Sequence, residues 1–388
     1  MVEFEFRNPA RILFGEGRRE SFLNAVKSLS DKALVVCGRH FARSGELGDL
    51  CAALEEHGVK TWEIPDIRSS TIEGARTAWK LCRAEGIGVV VAAGGATVMD
   101  FSKIVAYGAC EDEDIWSRIL GRETVKGGRR LGLATIPTYP SSGSDVDTAS
   151  EMIEKATGRA GGLYGEPLVP DLCWLNPAYA MSLRGDILSY GVMASVVQAS
   201  VSYLTPERSR YSEACSAALI RTELESLGRA LEDPSDPEPR GELMISACMA
   251  GQGAGGLGKG PVDFSIYLIE GIIEQYRDLS YVPSLVILFP HWLRAVYGSN
   301  PVFRDYFREV WEVAGDGLSG EPLLEAGLSR IREAYRKFGV AWTLNELDPL
   351  KPDPARLRAA IAAEGSCDSL HRPFPAEDVF TLIREAEG

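Results

Sequence analysis

Histidine is scarce in this sequence: the chain of 388 residues has only four, at positions 40, 57, 291 and 371. The eight cysteines stand singly, and no two of them have the CxxC spacing that is typical of zinc sites. The scarcity of histidine excludes a metal site built from several imidazoles. Scattered single cysteines indicate reduced thiols, as expected for a cytosolic protein.

Positive charge is also in short supply. Lysine and arginine total 41 against 55 acidic residues, which gives a formal net charge of −14. An acidic chain without a strong basic cluster repels phosphate backbones, so we expect no nucleic-acid partner.

Long apolar runs are missing as well. The strongly apolar stretch from Val282 to Val296 is broken by Pro283, Pro290 and Arg294, and it is shorter than the roughly 20 residues of a spanning helix. The first residues, MVEFEFRNP, carry acids where a signal peptide needs a basic start. We therefore expect no membrane partner and a cytoplasmic location.

The sequence does have the length and composition of two globular domains. It exceeds the roughly 100 to 200 residues of one domain, and 45% of its residues are hydrophobic and 25% charged. Short β-branched runs at 33–37, 61–64, 88–95 and 130–138 alternate with helical patterns at 47–57 and 71–85. This alternation predicts a parallel sheet with helices on both faces.

The pattern changes near residue 183. Apolar residues then recur every three or four positions, which predicts helices over 187–203, 211–231, 242–249, 266–276 and 323–338. Segments rich in glycine and proline at 251–261 and 233–240 indicate a loop and an exposed connection. The sequence thus predicts an α/β domain over 1–182 and an all-helical domain over 183–388.

A glycine loop is the most informative segment, VVVAAGGATVMDFSK at 89–103. A β-branched strand leads into Gly94 and Gly95, and Thr97 can cap the helix that follows. Adjacent glycines let the backbone approach a ligand closely, and a helix N-terminus offers N–H groups to a phosphate. The alternative is a tight turn that binds nothing. The segment is neither a P-loop nor a GxGxxG fingerprint.

This segment resembles the GGGS-xx-D-xx-K loop of the iron-containing (group III) alcohol dehydrogenase family, within the dehydroquinate synthase-like superfamily. ILFGEG at 12–17 looks like the family's opening hairpin, and IPTYPSSGSDVD at 136–147 is similar to its IPTTAGTGSE segment. Segments 169–177, 285–292 and 371–380 resemble a closing strand, a helix after the last metal ligand and the start of a C-terminal helix. The resemblance spans nearly the whole chain and is close to the butanol dehydrogenase-like branch.

The resemblance implies a fold, an activity and a cofactor site. The fold is an α/β dinucleotide-binding domain followed by an all-helical substrate domain. The activity is that of an NAD(P)-dependent oxidoreductase with a small-molecule substrate, commonly a homo-oligomer such as a dimer. The implied cofactor contacts are Gly94, Gly95, Ala96 and Thr97 at the pyrophosphate with Asp100 beside them, and Thr138, Ser141, Ser142 and Ser144 around adenine and the nicotinamide ribose. Lys103 would lie nearby, and Ala96 replaces the third glycine of the family loop.

The end of the first strand bears on the choice between the two cofactors. Many NAD-specific relatives have an aspartate there, which binds the adenosine ribose and repels a 2′-phosphate. This chain has Gly38 followed by Arg39. Because a guanidinium can bind a phosphate through two hydrogen bonds, we expect NADP(H) to be preferred over NAD(H). The alternative is that Arg39 and Arg43 are solvated surface charges.

The metal ligands of the family are replaced in this chain. The family binds a divalent metal through an aspartate and three histidines. Counting forward from Pro177, Leu183 and Gly191 places Ala194 at the aspartate and Gln198 at the first histidine.

The other two ligand positions follow from counting back from Phe289 and Pro290, with Asp263, Glu270 and Asp278 in step. They hold Tyr267 and Tyr281, and Gly271 replaces a further histidine that is not a ligand. Alanine has no donor atom, glutamine is a weak ligand and phenols stay protonated near neutral pH. We therefore expect no metal cofactor.

The replacing side chains are candidate catalytic residues. Tyr281 is the first candidate and Tyr267 the second for donating a proton to the substrate, with Gln198 beside them. The alternative is that the tyrosines only fill the cavity that the metal would have left. Asp145 and Asp147 could supply a carboxylate, although aspartates in loops are more often turn or cap residues.

The sequence thus predicts a metal-independent NADPH-dependent reductase. Iminium carbons and activated C=C bonds are suitable acceptors, because they accept hydride without a Lewis acid, and we place the reaction in specialised metabolite biosynthesis. Three alternatives stay open: a metal-free carbonyl or alcohol oxidoreductase, a cofactor-binding pseudoenzyme without turnover, and non-redox chemistry such as cyclisation or elimination.

Overall fold

The chain forms two compact units. The computed structural model describes residues 1–314, 317–349, 351 and 353–388. The first unit, called the α/β unit below, comprises Phe6–Leu183 and Pro234–Gln252. The second, called the helical unit, comprises Met1–Glu5, Arg184–Asp233 and Gly253–Gly388. This division places the first five residues and segment 234–252 differently from the predicted boundary after residue 182.

The α/β unit is organised around a six-stranded sheet in the order β1-β8-β5-β4-β2-β3, in which every pair is parallel. All six residues of the central strand β4 are buried, as expected where helices cover both faces. The strands of the unit are β1 Arg11–Phe14, β2 Lys32–Gly38, β3 Lys60–Ile67, β4 Val89–Gly94, β5 Gly132–Pro137, β6 Ala149–Ile153, β7 Ala160–Tyr164 and β8 Leu172–Leu175.

Helices cover the sheet on both faces. Successive residues of β2 and β4 point to opposite sides, so Leu34 and Val90 join one buried cluster while Val35 and Val91 join another. The predicted fold class is confirmed. The helices of this part of the chain are α1 Arg19–Leu29, α2 Arg39–Arg43, α3 Glu46–Glu56, α4 Ile72–Glu85, α5 Ala96–Gly108 and α6 Trp116–Leu120.

Two features of this unit differ from the sequence analysis. The expected opening hairpin is wrong: β1 pairs in parallel with β8, and the 3₁₀ helix Glu16–Arg18 follows it. The antiparallel hairpin of β6 and β7 was not predicted. Its second strand contains Gly161, where a Cβ would lie 2.4 Å from the Ile119 carbonyl oxygen. A strand that packs this closely needs glycine and so lacks the β-branched pattern that predicts strands.

The rest of the chain is helical throughout the residues that the structure describes. Its helices are α7 Gly185–Leu204, α8 Arg210–Glu232, α9 Pro237–Gly251, α10 Ser265–Arg277, α11 Tyr281–Val296, α12 Pro301–Glu309, α13 Gly320–Phe338, α14 Leu344–Leu347, α15 Pro354–Glu364 and α16 Ala376–Glu387. By length and composition α7 could cross a membrane, but 78% of its apolar window is buried inside the protein, as in a core helix.

Helix α9 corrects a second expectation. Segment 233–240 was expected to be an exposed connection, but α9 begins at Pro237, and Pro239 and Arg240 are buried. Proline suits the first turn of a helix because the N–H that it lacks has no partner there. The Asp236 side chain caps the helix by accepting a hydrogen bond from the Glu238 N–H at 2.9 Å.

Candidate functional site

The glycine loop joins β4 to α5 as predicted. A Cβ at Gly94 would lie 2.6 Å from Val98 Cγ2, so the turn accommodates only glycine. Helix α5 begins at Ala96 with Gly95 as its N-cap and has no side-chain cap. The expected capping role of Thr97 is therefore wrong, because the helix starts before it, and Thr97 is exposed in the first turn. The first N–H groups of α5 have no partner within the helix.

A second loop, after β5, lies against the first. Both loops line one pocket, and the Thr138 N–H donates to the Gly94 carbonyl at 3.0 Å. The pocket is lined by Gly94, Gly95, Ala96, Met99, Pro137, Tyr139, Ser142, Gly143, Ser144 and Asp145. The structure thus brings five of the predicted cofactor contacts together. Thr97, Asp100, Thr138 and Ser141 are not part of the pocket lining.

These loops fit a dinucleotide. Ser141 is buried, and its Oγ has no hydrogen-bond partner among the residues that the structure describes. A buried hydroxyl without a partner is costly unless a ligand or water completes its hydrogen bonds. Together with the turn at Gly94 and the helix N-terminus, it forms a cradle that could hold a pyrophosphate at Gly94, Gly95, Ala96 and Thr97.

A buried charged network supports the second loop. The fully buried Lys103 donates from Nζ to Asp147 Oδ1 at 2.5 Å, to Ser144 Oγ at 3.0 Å and to the Ala149 carbonyl at 2.7 Å. Ser144 in turn donates to Asp100 Oδ1 at 2.6 Å. Burial raises the pKa of Asp100 to about 7. Asp147 is thus an ion-pair partner of Lys103, and this network fixes the position of Ser144 in the pocket.

The end of β2 carries the residues expected to select the cofactor. Gly38 is the N-cap of the short helix α2, and Arg39 and Arg43 are exposed on that helix. Sequence reasoning missed Asp66, which lies on the neighbouring strand β3 with a φ of 60°. The Arg68 guanidinium donates to the two carboxylate oxygens of Asp66 at 3.1 and 2.7 Å.

Asp66 belongs to the same charged patch as the two arginines. The hydrogen bond from Arg68, and then the charges of Arg68, Arg39 and Arg43, hold the pKa of Asp66 below its usual range. The patch therefore has three guanidinium groups and one carboxylate. The pairing of β2 with β3 brings these charges together, so the sequence of either strand alone does not predict the patch.

The residues that the register count predicts at the family's metal positions lie on three helices of the helical unit. Ala194 and Gln198 are on α7, Tyr267 is in the first turn of α10, and Tyr281 is the first residue of α11. Helices α7 and α10 each pack against α11. Gln198 Oε1 is buried and has no hydrogen-bond partner among the described residues. It is an acceptor that a donor group on a ligand would satisfy.

Tyr267 has an environment that keeps its phenol protonated. Burial, with a smaller effect of the negative Asp263, raises the pKa of Tyr267 well above its usual value. Its ring lies 5.6 Å from that of Phe264. Asp263 is buried and accepts hydrogen bonds from the Ser265 N–H and the Leu370 N–H, each at 3.0 Å.

A divalent metal does not fit these four positions. Ala194 is 1% exposed and has no donor atom, so the helix α7 offers only the neutral amide of Gln198. Burial raises the pKa of Tyr267, which favours the protonated phenol over the phenolate that ligates a cation.

A buried acid lies beside this region, on α8. Ser195 on α7 donates from Oγ to Glu223 Oε1 at 2.5 Å, while Glu223 Oε2 has no partner among the residues described. Burial raises the pKa of Glu223 to about 8. The group is therefore mainly a neutral carboxylic acid at pH 7.

Three potential ligands that sequence spacing did not reveal meet inside the α/β unit. Asp145, Cys173 and Cys248 are buried, and each offers one atom within 4.8 Å of the other two. The Cys173 thiol donates to Asp145 Oδ2 at 3.4 Å. The three residues are far apart in the sequence, so only the packing of α9 on the sheet brings them together.

Comparison with known proteins agrees with this fold and with the cofactor loops. Residues 9–177 match the model of the family described as iron-containing alcohol dehydrogenase. The chain is 29% identical over 322 residues to NADH-dependent butanol dehydrogenase B of Clostridium acetobutylicum, covering 81% of each protein. It is 24% identical over 352 residues to the NADPH-dependent aldehyde reductase YqhD of Escherichia coli, covering 89% of each.

Solved structures show the same fold. The crystal structure of NADH-dependent butanol dehydrogenase A from Thermotoga maritima superposes with a TM-score of 0.92 at 22% identity, covering 100% of this chain and 99% of that one. The predicted family and enzyme class are confirmed by these likenesses. Over residues 9–177 the chain matches the iron-containing alcohol dehydrogenase family, and it is an NAD(P)-dependent oxidoreductase.

Proposed function

We propose that this enzyme is an NADP(H)-dependent reductase that works without a metal and reduces a C=N bond, as in an imine or iminium ion, or an activated C=C bond. The proposal rests on the register count that places Ala194, Gln198, Tyr267 and Tyr281 at the family's metal-ligand positions, because these four side chains form a poor ligand set. A substrate that is already cationic or conjugated to an electron-withdrawing group needs no Lewis acid. Such substrates suit an enzyme that has no Lewis acid.

The two cofactor loops would bind and orient the dinucleotide. Gly94, Gly95 and the first N–H groups of α5 would hold the pyrophosphate. Ser142 and Ser144 would contact the ribose groups, and the buried Lys103 keeps Ser144 in place. The nicotinamide cofactor, when bound, supplies the hydride.

The proton would come from a phenol. Tyr281 is the first candidate and Tyr267 the second. The raised pKa of Tyr267 keeps a proton on its oxygen at neutral pH, as a general acid requires. The buried Gln198 Oε1, which lacks a protein partner, is suited to accept a hydrogen bond from an N–H of the substrate. This acceptor favours a nitrogen-containing substrate over an alkene.

NADP(H) is the proposed cofactor because positive charge dominates the end of β2. Arg39 and Arg43 on α2, with Arg68 on the neighbouring segment, outnumber the single carboxylate of Asp66. A 2′-phosphate carries about two negative charges, so binding it would neutralise the patch. Asp66 works in the opposite sense and would limit the preference.

A metal-free carbonyl reductase is the second candidate function. The relatives named above are butanol dehydrogenases and an aldehyde reductase, which favours a carbonyl substrate. A tyrosine acid could protonate the oxygen as hydride reaches the carbon. The two candidates use the same residues and differ in the substrate.

The cellular setting belongs to the same proposal. We place the enzyme in the cytoplasm, in specialised metabolite biosynthesis, as a homodimer acting on a small molecule. The dimer is supported by the N-terminal segment, where Val2, Phe4 and Phe6 are exposed. Apolar side chains that alternate along an extended segment are suited to cover a second copy of the chain.

The experiment is a comparison of acceptors with deuterated cofactor. NADPH carrying deuterium at C4 is incubated with cyclic imines, enones and aldehydes, and the products are analysed by mass spectrometry. We expect one deuterium on the former C=N or C=C carbon. Labelled alcohols alone would favour the carbonyl reductase. Tight NADPH binding without transfer to any acceptor class would contradict both candidates. Gly94→Ala, whose methyl group collides with Val98, is the control that should not bind cofactor.

A further inference from the structure

The α/β unit contains a buried cluster of two thiols and a carboxyl group that the proposed reaction does not use. Asp145 follows the serine loop, Cys173 is on β8, and Cys248 is on α9. Both cysteines are 0% exposed and Asp145 is 7% exposed. One potential ligand atom of each lies within 4.8 Å of the other two.

The backbone around this cluster is tightly fixed. A Cβ at Gly143 would lie 2.5 Å from the Gly251 Cα, so the serine loop and the end of α9 touch through their backbones. The Thr135 hydroxyl donates to the Asp145 carbonyl at 2.9 Å, which ties the loop to β5. The three side chains are therefore held near one another before any ligand arrives.

Without a ligand, the polar cluster is costly to bury in a protein core. Its surroundings are apolar and include Val146, Leu175 and Met244. Thiols are weak hydrogen-bond donors, so the buried carboxyl group lacks strong partners. Burial is the main reason why the pKa of Asp145 and the pKa of Cys173 are raised. Apolar side chains of the same volume would avoid the cost of burying these groups.

A thiophilic divalent cation would remove that cost. In a tetrahedral zinc site, bond lengths of about 2.3 Å to sulfur and about 2.0 Å to oxygen separate the ligand atoms by roughly 3.5 to 3.8 Å. The 3.4 Å between Cys173 Sγ and Asp145 Oδ2 is close to that separation. Two thiolates and one carboxylate suit zinc, with a water molecule as the fourth ligand.

We propose that Asp145, Cys173 and Cys248 form a zinc(II) site that stabilises the α/β unit. One hydrated zinc ion binds to two thiolates and one carboxylate while each of the two thiols releases its proton, and no electron is transferred. None of these residues occupies a metal position of the family, so the site is independent of the proposed hydride transfer. Zinc would also fix Asp145, which lines the pocket of the two loops, and would thereby tighten dinucleotide binding.

The test uses the full chain, produced with added zinc and analysed for metal content. We expect about one zinc per chain in the wild type and almost none in Cys173→Ala and Cys248→Ala. Cys51→Ala is the matched control, because Cys51 is also buried but lies on α3, outside the cluster. The control should keep its zinc, and added zinc should raise the melting temperature of the wild type and the control only.

Two measurements on the wild type keep the test decisive if the variants fail to fold. Cobalt(II) in place of zinc should give a thiolate-to-cobalt charge-transfer band. Zinc addition in weak buffer should release at least two protons per ion bound, one from each thiol. Folded wild type with neither zinc nor a cobalt band would overturn the proposal, as would zinc that persists in both cysteine variants. If both thiols are instead lost by oxidation and no metal is bound, the two cysteines form a disulfide and the zinc proposal is overturned.

Discussion

The two units of this enzyme differ in how closely their sequences resemble the family. The family model matches residues 9–177, which lie entirely in the sheet-containing part of the chain. There the glycine turn at Gly94 and the serine loop line one pocket, where the resemblance predicts the cofactor. In the helical unit the backbone has the family fold, and the register count predicts Ala194 and Tyr267 at positions of metal ligands.

Under the proposed function, the fold and its cofactor site persist while the electrophile is replaced. A helix such as α7 is specified by its buried apolar residues, and exchanging two side chains on one face leaves that packing intact. The dinucleotide cradle has less freedom because it depends on backbone positions, where a Cβ at Gly94 would collide with Val98. The four predictions below test this contrast, from the largest expected effect to the smallest.

The largest effect is expected in the helical unit, on removing one phenol oxygen. If Tyr281 or Tyr267 donates the proton, its change to Phe should lower the single-turnover hydride rate by about 10²- to 10⁴-fold. Cofactor affinity and melting temperature should change little. Tyr297→Phe is the matched control, because this phenol donates to the Gly320 carbonyl at 2.9 Å outside the candidate site.

The control should lose about 0.5 to 1.5 kcal/mol of stability and keep its rate. If Tyr281→Phe and Tyr267→Phe behave like the control, the two tyrosines only fill the space of the metal. The helical unit would then have neither a metal nor a phenol acid to activate the substrate. The chain would be a cofactor-binding pseudoenzyme.

The second prediction concerns the stability of the helical unit as pH rises. The folded-state pKa of Glu223 is raised from 4.5 to about 8, so the folded protein holds a proton that the unfolded chain has released. The free energy of unfolding should therefore fall by about 1.4 kcal/mol per pH unit between about pH 5 and pH 8. Glu223→Gln should lack this contribution.

Urea denaturation at pH 5.5 and pH 7.5 measures the effect. Between pH 5.5 and pH 7.5, the free energy of unfolding of the wild type should fall by roughly 3 kcal/mol more than that of Glu223→Gln. Glu225→Gln, an exposed position on the same helix, should show no such gain. Parallel pH profiles for wild type and Glu223→Gln would mean that Glu223 is ionised or hydrated in the folded protein.

The third prediction tests the cofactor half. Arg39→Ala should weaken NADPH binding by about ten- to a hundredfold, the effect of one charged hydrogen bond, and leave NADH affinity nearly unchanged. Asp66→Asn should act in the opposite direction, because it removes the carboxylate that repels the 2′-phosphate. Fluorescence titration of both cofactors measures this, with Arg11→Ala on β1 as the control. Equal affinities of the wild type for NADPH and NADH would refute the preference.

Sequence reasoning was most successful where the signal is local. The periodicity predicted α4 over 71–85, and the helix spans Ile72–Glu85 with Thr71 as its capping residue. The glycine and serine loops were recognised from contiguous motifs, and their residues meet in one pocket. Such features depend on a few neighbouring residues, which a single sequence displays.

Features that depend on distant pairings could not be read from the sequence. Asp66 is near Arg39 because β3 pairs with β2, and the meeting of Cys173 with Cys248 requires α9 to pack on β8. Neither has a spacing signature. The residues predicted at the metal positions are intermediate: a register count selects them one segment at a time, and the structure places them on three helices, of which α7 and α10 each pack against α11.

The smallest effect is expected from iron. An iron(II) chelator should leave the rate of NADPH oxidation unchanged, and added iron(II) should not increase it, because Ala194 and Gln198 cannot complete a ligand set. Loss of activity on chelation, with recovery on adding iron(II), would contradict the metal-free mechanism. Zinc found in the protein should disappear in Cys173→Ala, which would assign it to the α/β unit.

The combined change Ala194→Asp, Gln198→His, Tyr267→His and Tyr281→His sharpens the comparison: if the four positions are correctly assigned, this variant should bind about one iron(II) per chain. If the folded variant binds none, the assignment of the four positions is wrong and the contrast between the two units loses its basis.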